Sequence, residues 1–183
     1  MYLNRDNPRW RLAIHEAAHG IACLATNISL FGLEVDADNE AGRCRHCPPS
    51  ADDTSFASSD LPKQYKEWQR QFGIMFPPDW VKRRLVVYLA GPWATWRLTG
   101  EFRGCGGDFA DAEAYLDLLP KKQRGKLYRE AEREADRIVN HEYPFPVAQI
   151  ANCLYHRSPL YVEEIRALVR QCGPRGLRLL GEI

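Results

Sequence analysis

Residues 12–22 read LAIHEAAHGIA, an apolar run whose ionisable groups are His15, Glu16 and His19. A charge among apolar neighbours costs several kcal/mol unless it is paired, neutralised or bound to a metal. The two histidines stand four residues apart, which on an α-helix places them on one face, one turn from each other. Both rings then reach a single tetrahedral ion. Glu16, beside the first histidine, points to a slightly different azimuth, where a carboxylate holds the water that a zinc ion activates and takes its proton. Chance meeting of these groups on a solvated face is the competing explanation. It fails here because the flanking residues are apolar all round. The stretch predicts a helix with His15 and His19 as zinc ligands and Glu16 as general base.

Start signals agree. Asn7-Pro8 is an N-cap followed by proline at the first helical position, so the helix is expected from about Pro8 to Thr26. The alternating, β-branched residues that follow predict a small strand pair, Leu33–Asp36 with Arg43–His46, and CPPSADDTSFASSD predicts a polar loop over 48–60. Helices are expected over about Pro62–Phe72 and Asp79–Leu98, the latter open to a kink or break at Gly91-Pro92. TGEFRGCGG is a glycine loop, Asp108 opens the next helix, and Pro120 ends it. Two or three more helices fill the C-terminal third, one with Ser158 as N-cap, Pro159 in its first turn and Gly173 past its end. The expected fold is mostly α with a small sheet, α+β, as one domain over 1–183.

A catalytic zinc takes three protein ligands and keeps one position open. Two sources for the third ligand remain open on the residues alone. Asp108 follows a glycine loop, though Asp is also a common N-cap. Glu132 in YREAEREAD, with Asp136 one turn on, also fits, though so dense a mixed run reads first as a solvated face.

Four blocks carry a resemblance: AIHEAAHGIA, LEVDADNEAGRCRH, VVYLAGPWATWRLTG and GGDFADA. In order and spacing, over about Ala13–Leu116, they resemble the peptidase domain of FtsH-type zinc proteases, and more closely the stand-alone relatives of that domain that lack the ATPase. The resemblance implies a zincin-like helical domain with a hairpin beside the HEAAH helix and one zinc per chain. It also carries the third-ligand role to Asp108. It departs at Ala18, where the family has glycine, and at Ala94-Thr95-Trp96, which lacks the acidic residue usual there. No Walker A sequence is present, so ring-powered unfolding is not expected. The implied activity is ATP-independent hydrolysis of peptide bonds in unfolded or flexible proteins, with an unfoldase or regulator acting in trans as a further partner.

Composition narrows the alternatives. Lys and Arg total 25 against 24 Asp and Glu in 183 residues, which gives no bulk field for nucleic acid or an acidic membrane surface. No signal-peptide pattern opens the chain, and the longest apolar stretch holds His15, Glu16 and His19, against a membrane span, so a cytoplasmic protein is expected. Six cysteines do not form a disulfide scaffold in a chain this long. Cys44 and Cys47 have the spacing of half a zinc knuckle but lack a second pair. His46 and His156 read as structural, and His141-Glu142 lacks a second histidine. Trp80, Tyr88, Trp93 and Trp96 read as core packing, with a groove lining as the functional alternative. If Leu33, Glu34 and Val35 form an exposed edge, they meet an extended peptide through their main chain. The rival functions are a catalytically silent zinc-containing binding module and a zinc hydrolase of a small amide. Retention of Glu16 weighs against the first.

Overall fold

Asn7 begins the first helix as its sequence requires: its side-chain oxygen accepts from the Trp10 backbone N–H at 3.2 Å, with Pro8 behind it. The computed structural model describes residues 7–36, 41–46 and 61–183. The loop expected over 48–60 and Cys47 lie outside the described residues. Helix α1 spans Pro8–Ala25 and buries nearly every residue from Ala13 to Cys23, Glu16 and His19 included.

Strands β1 (Leu30–Asp36) and β2 (Ala41–His46) form the expected antiparallel pair, with Leu33 opposite Cys44 and Val35 opposite Gly42. A third strand, β3 (Leu160–Tyr161), completes a sheet of order β2-β1-β3. Its Tyr161 and Leu160 pair with Gly32 and Leu33, and the Val35 N–H donates to Ser158 Oγ at 2.7 Å. The edge of β1 expected to receive a peptide is therefore occupied over residues 32–35. Leu33 and Val35 bury their side chains, and Glu34 pairs with Arg45 at 2.7 Å. The reading of Leu33, Glu34 and Val35 as a substrate-contacting edge is corrected accordingly. Among the described residues the sheet's outer edges belong to β2 and to the two-residue β3.

Helices α2 (Leu61–Phe72), α3 (Pro78–Thr99), α4 (Gly106–Leu116), α5 (Lys121–Asp136), α6 (Pro144–His156), α7 (Val162–Arg170) and α8 (Pro174–Leu179) complete the chain, with a π-helical turn over Arg137–Glu142 joining α5 to α6. The architecture is mostly helical with a small antiparallel sheet, α+β. Helix α3 runs unbroken through Pro92. A proline removes one helical hydrogen bond, and the burial of α3 against both α1 and α5 outweighs that loss. The C-terminal third holds four α-helices rather than two or three. Ser158 is not an N-cap: its hydroxyl accepts from β1, and α7 starts after Tyr161, whose backbone N–H donates to Glu164. A continuous apolar core runs from Trp10 to Leu179. Among the described residues no helix is long and apolar enough to cross a membrane.

Candidate metal centre

Helix α1 supplies His15 and His19 from one face, α3 passes over them, and the first turn of α4 brings Asp108 from the far side. The His15 Nε2 lies 2.9 Å from Asp108 Oδ2, the His19 Nε2 3.2 Å from Asp108 Oδ1, and the two Nε2 atoms stand 2.9 Å apart. Nitrogen and oxygen atoms held 2.0–2.1 Å from a tetrahedral zinc stand about 3.3 Å from one another. The three donors need to open by only a few tenths of an ångström to hold one. Asp108 is the third residue of α4, not its cap; Cys105 stands at the cap position.

The opposite nitrogen of each ring is also fixed. His15 Nδ1 meets Thr95 Oγ1 at 3.1 Å, and His19 Nδ1 meets the Val87 carbonyl at 2.6 Å. With Nδ1–H donating outward in both rings, both Nε2 lone pairs face the centre, the tautomer a metal requires. Thr95 occupies the stretch where the family pattern has an acidic residue, and its role is invisible until α3 is laid across α1. Glycine permits that close crossing. A Cβ at Gly91 would stand 2.4 Å from His19 Nε2 and 2.6 Å from His15 Nε2.

Glu16 is buried beside these side chains and borders a cavity of about 420 Å³, which His15, Thr95 and Asp108 also line. The backbone of β2 presses against it: a Cβ at Gly42 would come within 2.3 Å of Glu16 Oε1. Arg11, Arg103 and Asp111 line the outer part of the same cavity.

Electrostatics show how the metal-free centre balances its charge. Burial alone would lower the pKa of His19, but the Asp108 carboxylate, with help from Glu16 and the Val87 carbonyl, raises it to about 9. Burial alone would raise Asp108, and the two imidazoles instead hold it well below the usual carboxylate range. A proton on His19 thus stands in for part of a cation's charge. Burial raises Glu16, against the pull of both histidines. A bound cation reverses that balance and favours the ionised carboxylate.

Other candidates fall elsewhere. The group with metal-ligand spacing among the described residues includes Cys105 with His15 and Asp108, and neither Glu132 nor Asp136. Asp136 accepts from Asn140 and pairs with His141. His46 receives Arg84 at 3.4 Å, and burial followed by that guanidinium and by His19 lowers it to about 3. Cys44 packs beside Cys23, and burial raises its thiol well above the usual range. Trp80 and Tyr88 join Tyr65 and Tyr115 in the core. Trp93 and Trp96 instead cluster with Phe102 on the loop that leads to Asp108. Trp96 and Phe102 are exposed. No known protein-family model matches the chain, and no curated protein matches it.

Proposed function

We propose that this protein is a zinc-dependent metalloendopeptidase of the FtsH-type peptidase class that works without ATP on unfolded or flexible chains. The observation that carries the reading is the convergence of His15, His19 and Asp108 donor atoms within 3.2 Å of one another, with Glu16 on the same cavity. His15, His19 and Asp108 hold the ion; Thr95 and the Val87 carbonyl fix the rings. Zinc, when bound, supplies Lewis acidity toward water and toward the scissile carbonyl. Glu16 accepts a proton from the attacking water and delivers it to the departing nitrogen. Burial keeps bulk water from competing with Glu16 for that proton. The unpaired edge of β2, whose Gly42 abuts Glu16, is the place for an extended peptide to add as a strand.

The test uses zinc-loaded protein and casein, with and without a chelator. Wild type is expected to cleave and the chelator to stop it. Glu16→Gln should keep one zinc per chain and lose cleavage by at least about 10²-fold, the range of a general base. Undiminished cleavage by that variant sinks the mechanism. Zinc binding without cleavage in the wild type favours the silent binding module.

A further inference from the structure

Cys105 stands three residues before Asp108 at the start of α4, so the two share one helix face. Its Sγ, a ring nitrogen of His15 and a carboxylate oxygen of Asp108 all lie within 4.8 Å of one another. The residue is fully buried, at 0% exposure. Its polar contact is a 3.7 Å hydrogen bond to the Arg103 carbonyl, two residues back, a weak one because a thiol is a weak donor. A buried thiol thus faces a set of metal ligands with no comparable partner. The glycines on either side leave open space around it: a Cβ added at Gly104, Gly106 or Gly107 would meet nothing within 4 Å.

A thiolate is among the strongest zinc ligands, with a bond of about 2.3 Å. In a tetrahedral site its sulfur would stand about 3.6 Å from neighbouring nitrogen and oxygen donors. The sulfur's separations from His15 and Asp108, at most 4.8 Å, exceed that by no more than about 1.2 Å; His19 lies outside this group, so sharing one ion with it takes a further approach of the sulfur. We propose that Cys105 is a fourth ligand that closes the His15–His19–Asp108 site in a latent state. The inference rests on the metallopeptidase reading of the same centre, which needs that position open. On closure a zinc–sulfur bond forms, one water leaves the ion, and the thiol proton passes to solvent. Opening reverses each of these, and no electrons are transferred.

Cobalt substitution of the full chain under reducing conditions tests this. Visible d–d bands report tetrahedral cobalt, and a near-ultraviolet sulfur-to-metal charge-transfer band reports a thiolate ligand. Wild type should show both. Cys105→Ser and Cys105→Ala should keep the d–d bands and lose the charge-transfer band, with metal held at least about tenfold less tightly in chelator competition. Cys44→Ser should keep both features. A wild-type spectrum with d–d bands and no charge-transfer band overturns the proposal, as does a charge-transfer band that survives both Cys105 variants. A wild type that binds no cobalt at all removes the metal reading and the latent state together, and the missing d–d bands identify that case.

Discussion

The start of α4 and the second half of α5 are both acidic, yet their carboxylates are put to opposite uses. At α4, Asp108 follows two glycines, with Asp111 and Glu113 close behind in the same helix, and Asp108 alone is carried onto two imidazoles. At α5, Glu130, Glu132, Glu134 and Asp136 crowd into seven residues, and three of them, Glu130, Glu134 and Asp136, take a lysine, a histidine or an amide. Lys126 pairs with Glu130, Lys82 with Glu134, and Asp136 takes Asn140 and His141. Half-exposed pairs of this kind are each worth about 0–1 kcal/mol. What separates the two is the partner each fold brings: imidazoles at α4, and lysines, a histidine and an amide at α5.

The largest effect should come from filling the space that makes the α4 site possible. Gly91→Ala puts a methyl inside contact distance of both Nε2 atoms, so zinc content should fall to background and the metal-free protein should lose thermal stability. Next, Asp108→Ala should lose zinc by metal analysis while Glu132→Ala retains one ion per chain. Full zinc in Asp108→Ala with loss in Glu132→Ala reverses the comparison. Thr95→Val leaves the His15 Nδ1–H without its acceptor, and zinc affinity should drop roughly 10–100-fold, the range for residues that orient a ligand.

The smallest effect is a pH slope in the metal-free protein. His19 titrates near 9 when folded and near 6.5 when unfolded. Its pairing therefore adds stability that is full below about pH 6.5 and fades as pH rises through about 9. Denaturant titrations across that window should show the loss in wild type and in Glu132→Ala. Asp108→Ala should show much less of it.

What the sequence disclosed has a physical pattern. Asn7-Pro8, the HEAAH spacing and the alternation around Val35 are local signals, and α1, β1 and β2 lie where they point. Asp108 was separable from Glu132 only through a family resemblance, since both are carboxylates on helices. Ser158-Pro159 has the chemistry of a cap, but its hydroxyl is claimed by Val35, 123 residues away, and local pattern has no access to such a partner. Two residues of β3 carry no period at all. Thr95, the Val87 carbonyl and Cys105 acquire meaning only when α3 and α4 cross α1. Gly91-Pro92 looked like a breaking point, yet glycine there serves the helix crossing and the proline is tolerated within buried packing.

The tie between Val35 and Ser158 also bears on how the chain is made. A ribosome releases the β1–β2 hairpin more than a hundred residues before β3 emerges, and domains form from the N-terminal side as they appear. Throughout that interval β1 offers unpaired main-chain groups on the side later taken by Leu160 and Tyr161, a template for pairing with other chains. Nascent or shortened forms that lack β3 should be the aggregation-prone ones, because that late strand covers one side of β1.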